Sequence, residues 1–159
     1  MELYLIRHAE AEERAPSGRD EARALTPRGR REVARAARGL ERLGVEFDQL
    51  LHSPLLRAME TADLLSKLVA GETRVASELA RDPSTELFAR CTGLRVGLVG
   101  HEPWMSELAA WLVVGERAYA SSFAFKKGAV AKLEGELAPG AMRLAAFWPP
   151  SALAELGRD

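Results

Sequence analysis

Four residues of this sequence have side chains suited to binding and transferring a phosphoryl group. Arg7 and His8 adjoin at the end of an apolar run, Arg57 follows a Ser-Pro pair, and His101 follows a glycine. A guanidinium group binds phosphate oxygens through a planar fork, and an imidazole nitrogen is a competent nucleophile once its tautomer is fixed. Two arginines and two histidines therefore favour phosphoryl transfer over acyl or hydride transfer.

The elements that would position these residues follow from hydrophobic patterning. Apolar, β-prone runs at 3–6, 45–51 and 94–99 indicate buried strands, and the pairs Thr26-Pro27, Ser53-Pro54 and Glu102-Pro103 indicate helix starts. We further expect a helical apolar face from 55 to 69 that ends at Gly71, a short strand at 74–77, a short helix at 84–91, hairpin strands at 123–133 and 142–148, and a peripheral tail after Pro150. This pattern predicts an α/β fold, a three-layer sandwich with a largely parallel but mixed central sheet flanked by helices.

The histidines all follow predicted strands. In open α/β sheets, ligands bind outside the carboxyl ends of the strands, and helix N-termini at that edge favour anions. His8, His52 and His101 fall at such ends, and Arg57 lies in the first turn of a predicted helix. We expect His8 and His101 to meet the two arginines in a phosphate site, whereas His52 belongs to the structure or to the rim, because no motif includes it.

Four ordered segments resemble the histidine phosphatase superfamily, which is also called phosphoglycerate-mutase-like. They are Leu5-Ile6-Arg7-His8-Ala9-Glu10-Ala11, Leu25-Thr26-Pro27-Arg28-Gly29, Ser53-Pro54-Leu55-Leu56-Arg57-Ala58 with Thr61-Ala62, and Val99-Gly100-His101-Glu102-Pro103. The short chain, Ala9 and the Gly-His-Glu-Pro segment look most like the SixA-type phosphohistidine phosphatases. The resemblance implies one histidine phosphatase domain over residues 1–159.

The resemblance also implies a role for each site residue. His8 would accept the phosphoryl group, Arg7 and Arg57 would bind its oxygens, and His101 would donate a hydrogen bond to it before water releases inorganic phosphate. Glu78, in Ser77-Glu78-Leu79, would be the general acid, but the motif around it is incomplete. Because the P–N bond is labile, a poorly placed acid would favour N-phosphorylated substrates. The expected activity is thus metal-independent hydrolysis of phosphohistidine in a protein.

Two other functions agree with the same residues. One is a phosphomonoesterase for a small phosphate ester, and the other is a non-catalytic phosphate-binding regulatory protein, for which a nucleophile is unnecessary. Rival phosphatase chemistries fit less well: Cys91 is followed six positions later by Gly97 rather than by arginine, and residues 2–9 contain no aspartate. No sequence motif for a metal or an organic cofactor is present, so we expect none.

Composition limits the kinds of partner and the cellular compartment that we expect. The chain has 159 residues and a formal charge of −1, which argues against a nucleic-acid partner, and its one cysteine excludes an internal disulfide. Its apolar runs are shorter than the about 20 residues of a membrane span, and the N-terminus does not resemble a signal peptide. We therefore expect a cytoplasmic hydrolase of signal transduction without a membrane partner; a monomer is compatible with the sequence, which leaves the oligomeric state open.

Overall fold

The structure is a mixed β-sheet covered on both faces by helices. The computed structural model describes residues 1–158, and within them six strands form one sheet with five α-helices around it. The elements are β1 (Glu2–Arg7), α1 (Pro27–Arg42), β2 (Phe47–His52), α2 (Leu56–Leu64), β3 (Val69–Val75), α3 (Thr85–Arg90), β4 (Arg95–Gly100), α4 (Trp104–Val114), β5 (Val130–Gly135), β6 (Met142–Trp148) and α5 (Pro150–Leu156).

The strand order of the sheet is β3-β2-β4-β1-β5-β6. The first four strands in this order are parallel, and β5 pairs antiparallel with both β1 and β6. The carboxyl ends of the four parallel strands therefore meet at one edge. The predicted three-layer α/β fold with a largely parallel, mixed sheet is confirmed.

Strand β1 contributes alternate residues to two hydrophobic cores. Leu3 and Leu5 pack in the core that contains residues of α3 and α4, whereas Tyr4 and Ile6 pack in the core that contains residues of α1, α2 and α5. Successive side chains of a strand point to opposite faces of the sheet, which explains this division. Because β1 is buried on both sides, the residues that follow it are held on a rigid support.

Helix α1 begins where the sequence predicts. The Thr26 side chain accepts a hydrogen bond of 2.9 Å from the Gly29 backbone N–H, and Pro27 occupies the first helical position, where a missing N–H costs nothing. Gly29 is buried against the loop that follows His8, since a Cβ at this position would lie 2.2 Å from the Glu10 carbonyl oxygen. The start of α1 thus packs directly on that loop.

The prediction for the segment after Ser53 is partly wrong. Helix α2 begins at Leu56 and ends at Leu64, and residues 69–75 form strand β3 instead of the end of a helix. Ser53 does not cap α2, because its hydroxyl binds His101 and accepts from the Leu55 N–H. Parallel pairing of β3 with β2 overrides the helical spacing of apolar residues in this segment.

The C-terminal third differs from its prediction at two places. The first hairpin strand begins at Val130, because residues 117–123 form a 3-10 helix and Gly128 turns the chain at φ +80°. Helix α5 is not peripheral, since Leu153 is buried in the core and a Cβ at Gly39 of α1 would meet the Leu153 carbonyl oxygen. Over residues 1–158, no helix is both long and apolar enough to cross a membrane.

Candidate active site

The carboxyl edge of the parallel strands carries all five predicted site residues. Arg7 ends β1 with His8 next to it, and His101 directly follows β4. Arg57 is the second residue of α2, the helix after β2, and Glu78 lies in the 3-10 turn Ser77–Ala80 after β3. The two imidazole rings lie close together, with centroids 5.0 Å apart.

The His8 ring is buried and holds one tautomer. Its Nδ1 lies 2.7 Å from the Ala9 carbonyl oxygen, and the residue is 6 % exposed. A carbonyl oxygen only accepts, so Nδ1 carries the proton and donates it. The neutral ring then has its lone pair on Nε2, which is the form that an imidazole nucleophile requires.

The His101 ring is oriented by the buried hydroxyl of Ser53. Its Nε2 lies 2.7 Å from Ser53 Oγ, which already accepts a hydrogen bond from the Leu55 N–H. If Ser53 donates its own proton to Nε2, the His101 proton lies on Nδ1, which is buried and without a hydrogen-bond partner among the described residues. We assign this tautomer, because it gives the hydroxyl both an acceptor and a donor. His101 then has an unpaired N–H on a ring whose centroid is 5.0 Å from that of His8.

A second unpaired N–H donor of the site belongs to Arg7. Its Nη1 donates a hydrogen bond of 2.6 Å to the Phe125 carbonyl oxygen, which fixes the guanidinium. Its Nε is buried and, within residues 1–158, has no partner. A buried donor left unpaired costs about 1–3 kcal/mol. Two such donors, one on Arg7 and one on His101, make the site suitable for an anion with several acceptor oxygens.

Arg57 is buried and bound to the loop that follows His8. Its Nη1 donates to the Asp20 carbonyl oxygen at 3.0 Å and its Nη2 to the Asp20 carboxylate at 3.1 Å. Thr61, one turn later in α2, donates to the Arg57 carbonyl oxygen and accepts from the Ala9 N–H at 3.3 Å. Thr61 thereby links the backbone beside His8 to the helix that carries Arg57.

Burial and positive charge keep both histidines neutral. The pKa of His8 falls from 6.5 to about 3, chiefly through desolvation, against the opposing effect of the Ala9 hydrogen bond. The pKa of His101 falls to about 4, again mainly through desolvation, with Arg57 lowering it and Asp20 raising it. Both arginines lower both values, so Arg7 and Arg57 act on the same small volume.

Glu78 lies at the margin of this group. Its Oε1 is 3.7 Å from Arg90 Nε, and its Oε2 is buried without a partner in the described part of the chain. It lines a small cavity with Trp104, whose ring is edge-on to His101 at 6.3 Å. Glu78 therefore neighbours Trp104, which in turn neighbours His101, and the role of Glu78 as general acid stays a prediction. His52 is half-buried, with Nδ1 2.9 Å from the Ser53 carbonyl oxygen.

Sequence reasoning missed two contributions to the site. Asp20 lies in a polar loop without a motif, and its contact with Arg57 spans 37 positions, so no local signal predicts it. Ser53 was expected to be a helix cap, and only its place in the Ser-Pro-Leu-Leu-Arg segment could have indicated the contact with His101. Within residues 1–158, no three His, Cys, Asp or Glu residues are grouped so that they could hold a metal ion.

Comparison with solved structures identifies the fold. The chain is similar to the protein histidine phosphatase SixA complexed with tungstate, with a TM-score of 0.79, 24 % identity and coverage of 96 % of this chain and 99 % of that one. It is also similar to the α-ribazole phosphatase of Shigella flexneri, with a TM-score of 0.73, 19 % identity and coverage of 94 % and 97 %. At these identities the likeness concerns the fold alone.

Sequence comparison identifies the family. The histidine phosphatase superfamily (branch 1) matches residues 3–81. An uncharacterized protein of Picosynechococcus sp. is 35 % identical over 124 residues, which cover 73 % of this chain and 75 % of that protein. Mouse PGAM5, a mitochondrial serine/threonine-protein phosphatase, is 36 % identical over 80 residues, which cover 50 % of this chain and only 27 % of PGAM5. The chain belongs to the histidine phosphatase superfamily and is an enzyme of the phosphatase class.

Proposed function

We propose that this phosphatase works through a phosphohistidine intermediate on His8 and that its substrate is phosphohistidine in another protein. Three observations carry the proposal. The His8 Nδ1 proton is held by the Ala9 carbonyl oxygen, the His8 and His101 ring centroids are 5.0 Å apart, and Arg7 Nε and His101 Nδ1 are both buried without a partner among the described residues. A lone pair among unused donors suits a phosphoryl group, whose phosphorus accepts the nucleophile while its oxygens accept the hydrogen bonds.

The proposed reaction has two steps. Nε2 of His8 attacks phosphorus, and the bond from phosphorus to the leaving group breaks. Arg7 and Arg57 balance the negative charge of the phosphoryl oxygens, and the His101 Nδ1–H donates to one of them. Water then attacks the phosphohistidine and releases inorganic phosphate, and His8 regains its lone pair. The two guanidinium charges supply the electrostatic stabilisation that a metal ion provides in other phosphatases.

The substrate proposal follows from the chemistry of the leaving group. An imidazole leaves phosphorus more easily than an alkoxide, so a site without a well-placed general acid suits phosphohistidine. Glu78 forms an ion pair with Arg90 and is half-buried at the margin of the site, which supports this choice. The protein would act in signal transduction, where phosphohistidine occurs in proteins, and the cytoplasm stays the proposed compartment.

A phosphomonoesterase is the second candidate. The similarity to PGAM5, a serine/threonine-protein phosphatase, and to an α-ribazole phosphatase favours phosphate esters as substrates. An enzyme for esters needs a carboxylic acid near the leaving oxygen, and Glu78 is the residue that we would expect to supply it.

Steady-state kinetics distinguishes the two candidates. We expect kcat/KM for a phosphohistidine protein to exceed that for a sugar phosphate and for p-nitrophenyl phosphate by at least about tenfold, and Glu78→Gln to leave the first value within about threefold. Addition of a chelator serves as a control for metal dependence and should change nothing. A preference for sugar phosphates, together with a large loss in Glu78→Gln, would support the phosphomonoesterase instead.

A further inference from the structure

Asp20 is an exposed carboxylate that forms a salt bridge with a buried arginine of the site. The side chain of Asp20 is 64 % exposed, whereas that of Arg57, to which it is bound, is only 9 % exposed. Asp20 is also close enough to His101 for its negative charge to raise the pKa of that ring. An exposed carboxylate therefore lies next to Arg57 and near His101, two residues of the site.

Asp20 is held in its charged form. Arg23 Nη1 donates to Oδ1 at 2.9 Å, and Arg57 Nη2 donates to Oδ2 at 3.1 Å. The hydrogen bond from Arg23 and the charge of Arg57 lower the pKa of the Asp20 carboxyl. Each carboxylate oxygen can accept more than one hydrogen bond, so an exposed Asp20 can still accept one from a ligand. It can serve as an acceptor, but it is a poor proton donor.

A charged acceptor at this place affects the two classes of leaving group in opposite ways. The leaving oxygen of a phosphoester becomes more negative as its bond to phosphorus breaks, so a nearby carboxylate opposes the reaction. A phosphorylated imidazole with a proton on its other ring nitrogen carries a positive ring and an N–H donor. The same carboxylate accepts a hydrogen bond from that N–H and attracts the ring. Because the ring is still partly positive in the transition state, this attraction raises kcat/KM, although it weakens as the ring becomes neutral.

We propose that Asp20 is a specificity-determining residue that accepts a hydrogen bond from the non-phosphorylated ring nitrogen of a phosphohistidine substrate and thereby selects phosphoimidazoles over phosphoesters. This inference rests on the proposed function, because it requires transfer to His8. It adds a substrate contact that acts on the leaving ring and not on the phosphoryl group.

The transfer balances without a general acid. Nε2 of His8 forms a bond to phosphorus while the P–N bond of the substrate breaks, and the electron pair of that bond stays on the departing nitrogen. The substrate ring keeps the proton that faces Asp20, so it leaves as neutral imidazole. His8 keeps its Nδ1 proton on the Ala9 carbonyl oxygen and becomes the positive phosphoimidazole ring. The substrate ring, which gives up the phosphoryl group, and the His8 ring, which receives it, are each hydrogen-bonded through the nitrogen that does not react.

The test compares substrates in Asp20→Asn, which removes the charge and keeps an oxygen that can accept from Arg57. Phosphoimidazole and p-nitrophenyl phosphate are the probes, and kcat/KM is measured for both. We expect the ratio of the phosphoimidazole value to the ester value to fall about 10- to 100-fold, since only phosphoimidazole loses a hydrogen bond to a charged group. Glu21→Gln is the matched control, because Glu21 is the neighbouring exposed carboxylate and pairs with Arg19; both values should be unchanged.

Two results would overturn the inference. An equal loss on both probes would mean that Asp20 only positions Arg57, and an equal gain would mean that it only competes with substrate for that arginine. Failure of the proposed function is separately visible, because the wild-type protein would then turn over phosphoimidazole without a phosphoryl group appearing on His8. Circular dichroism of Asp20→Asn checks that the variant is folded.

Discussion

His8 and His101 are neutral rings, and a separate hydrogen bond determines the tautomer of each. The Ala9 carbonyl oxygen holds the His8 proton on Nδ1, and the Ser53 hydroxyl holds Nε2 of His101. Each contact leaves one nitrogen of each ring available, a lone pair on His8 and an N–H on His101. At the scale of single residues, the site thus depends on two contacts that do not touch the substrate.

The tautomer of His101 can be tested through Ser53→Ala. Nitrogen-15 chemical shifts of the wild-type ring should show the proton on Nδ1, and the variant should lose this preference because the donor to Nε2 is gone. We expect kcat to fall about tenfold, the order of magnitude lost when a residue that orients a metal-ligating histidine is removed. Ser106→Ala is the control, since Ser106 is also buried but donates to Glu102. A wild-type ring with its proton on Nε2 would contradict the assignment.

The residues that could be predicted from the sequence are those in short motifs at strand ends. Arg7 and His8 follow an apolar run, and His101 follows Gly100, so the rule for ligand sites in α/β sheets applies to them directly. Asp20 could not be predicted, because it reaches Arg57 across a loop whose conformation depends on α1 and α2. Local patterns indicate elements, whereas loop contacts arise only from tertiary packing.

Two glycines of helix α1 make close contacts. Gly29, at the beginning of α1, contacts the loop after His8, and Gly39, near the end of α1, contacts helix α5. A Cβ at Gly29 would lie 2.2 Å from the Glu10 carbonyl oxygen, and one at Gly39 would lie 2.4 Å from the Leu153 carbonyl oxygen. Backbone atoms cannot move aside as a flexible side chain can. The two glycines therefore permit two close contacts on one helix, of which only the first involves the loop after His8.

The substitutions Gly29→Ala and Gly39→Ala separate these two contacts. Both should lower the free energy of unfolding by about 1–3 kcal/mol, because the clash outweighs the higher helix propensity of alanine. Only Gly29→Ala should reduce kcat/KM for phosphoimidazole, by about tenfold or more, since it displaces the loop that carries Asp20. Urea unfolding and steady-state kinetics measure both effects. If Gly39→Ala reduced kcat/KM as strongly, the loop would not be the link between α1 and activity.

Element boundaries could be predicted only where one local signal dominates. Thr26-Pro27 fixes the start of α1, because the cap and the proline act within one turn. The prediction for 55–71 fails after Leu64, since residues 69–75 obtain their backbone hydrogen bonds from β2 and not from a helix. The sheet order likewise depends on contacts between distant segments. Pattern analysis therefore predicts the fold class correctly but misplaces β3.

The whole molecule should lose stability in mild acid because of its buried histidines. The pKa values of about 3 for His8 and about 4 for His101 lie below the ordinary value of 6.5. Between the ordinary value and each lowered value, the unfolded chain therefore binds more protons than the native protein. The free energy of unfolding therefore falls as the pH is lowered through this window, by up to about 1.4 kcal/mol per pH unit for each histidine.

Urea unfolding between pH 7 and pH 5 measures this dependence. His8→Asn should show a shallower loss of stability than the wild-type protein, because one of the two buried imidazoles is gone. Parallel curves for His8→Asn and the wild-type protein would contradict a strongly lowered pKa at His8.

The most direct test of the central claim is to trap the phosphoenzyme. The protein is mixed with phosphoimidazole, quenched in alkali, where phosphohistidine survives, digested and examined by mass spectrometry. We predict one phosphoryl group on His8, its absence in His8→Asn, and a loss of turnover of at least about a thousandfold in that variant. A phosphoryl group on another residue, or full turnover by His8→Asn, would contradict the account.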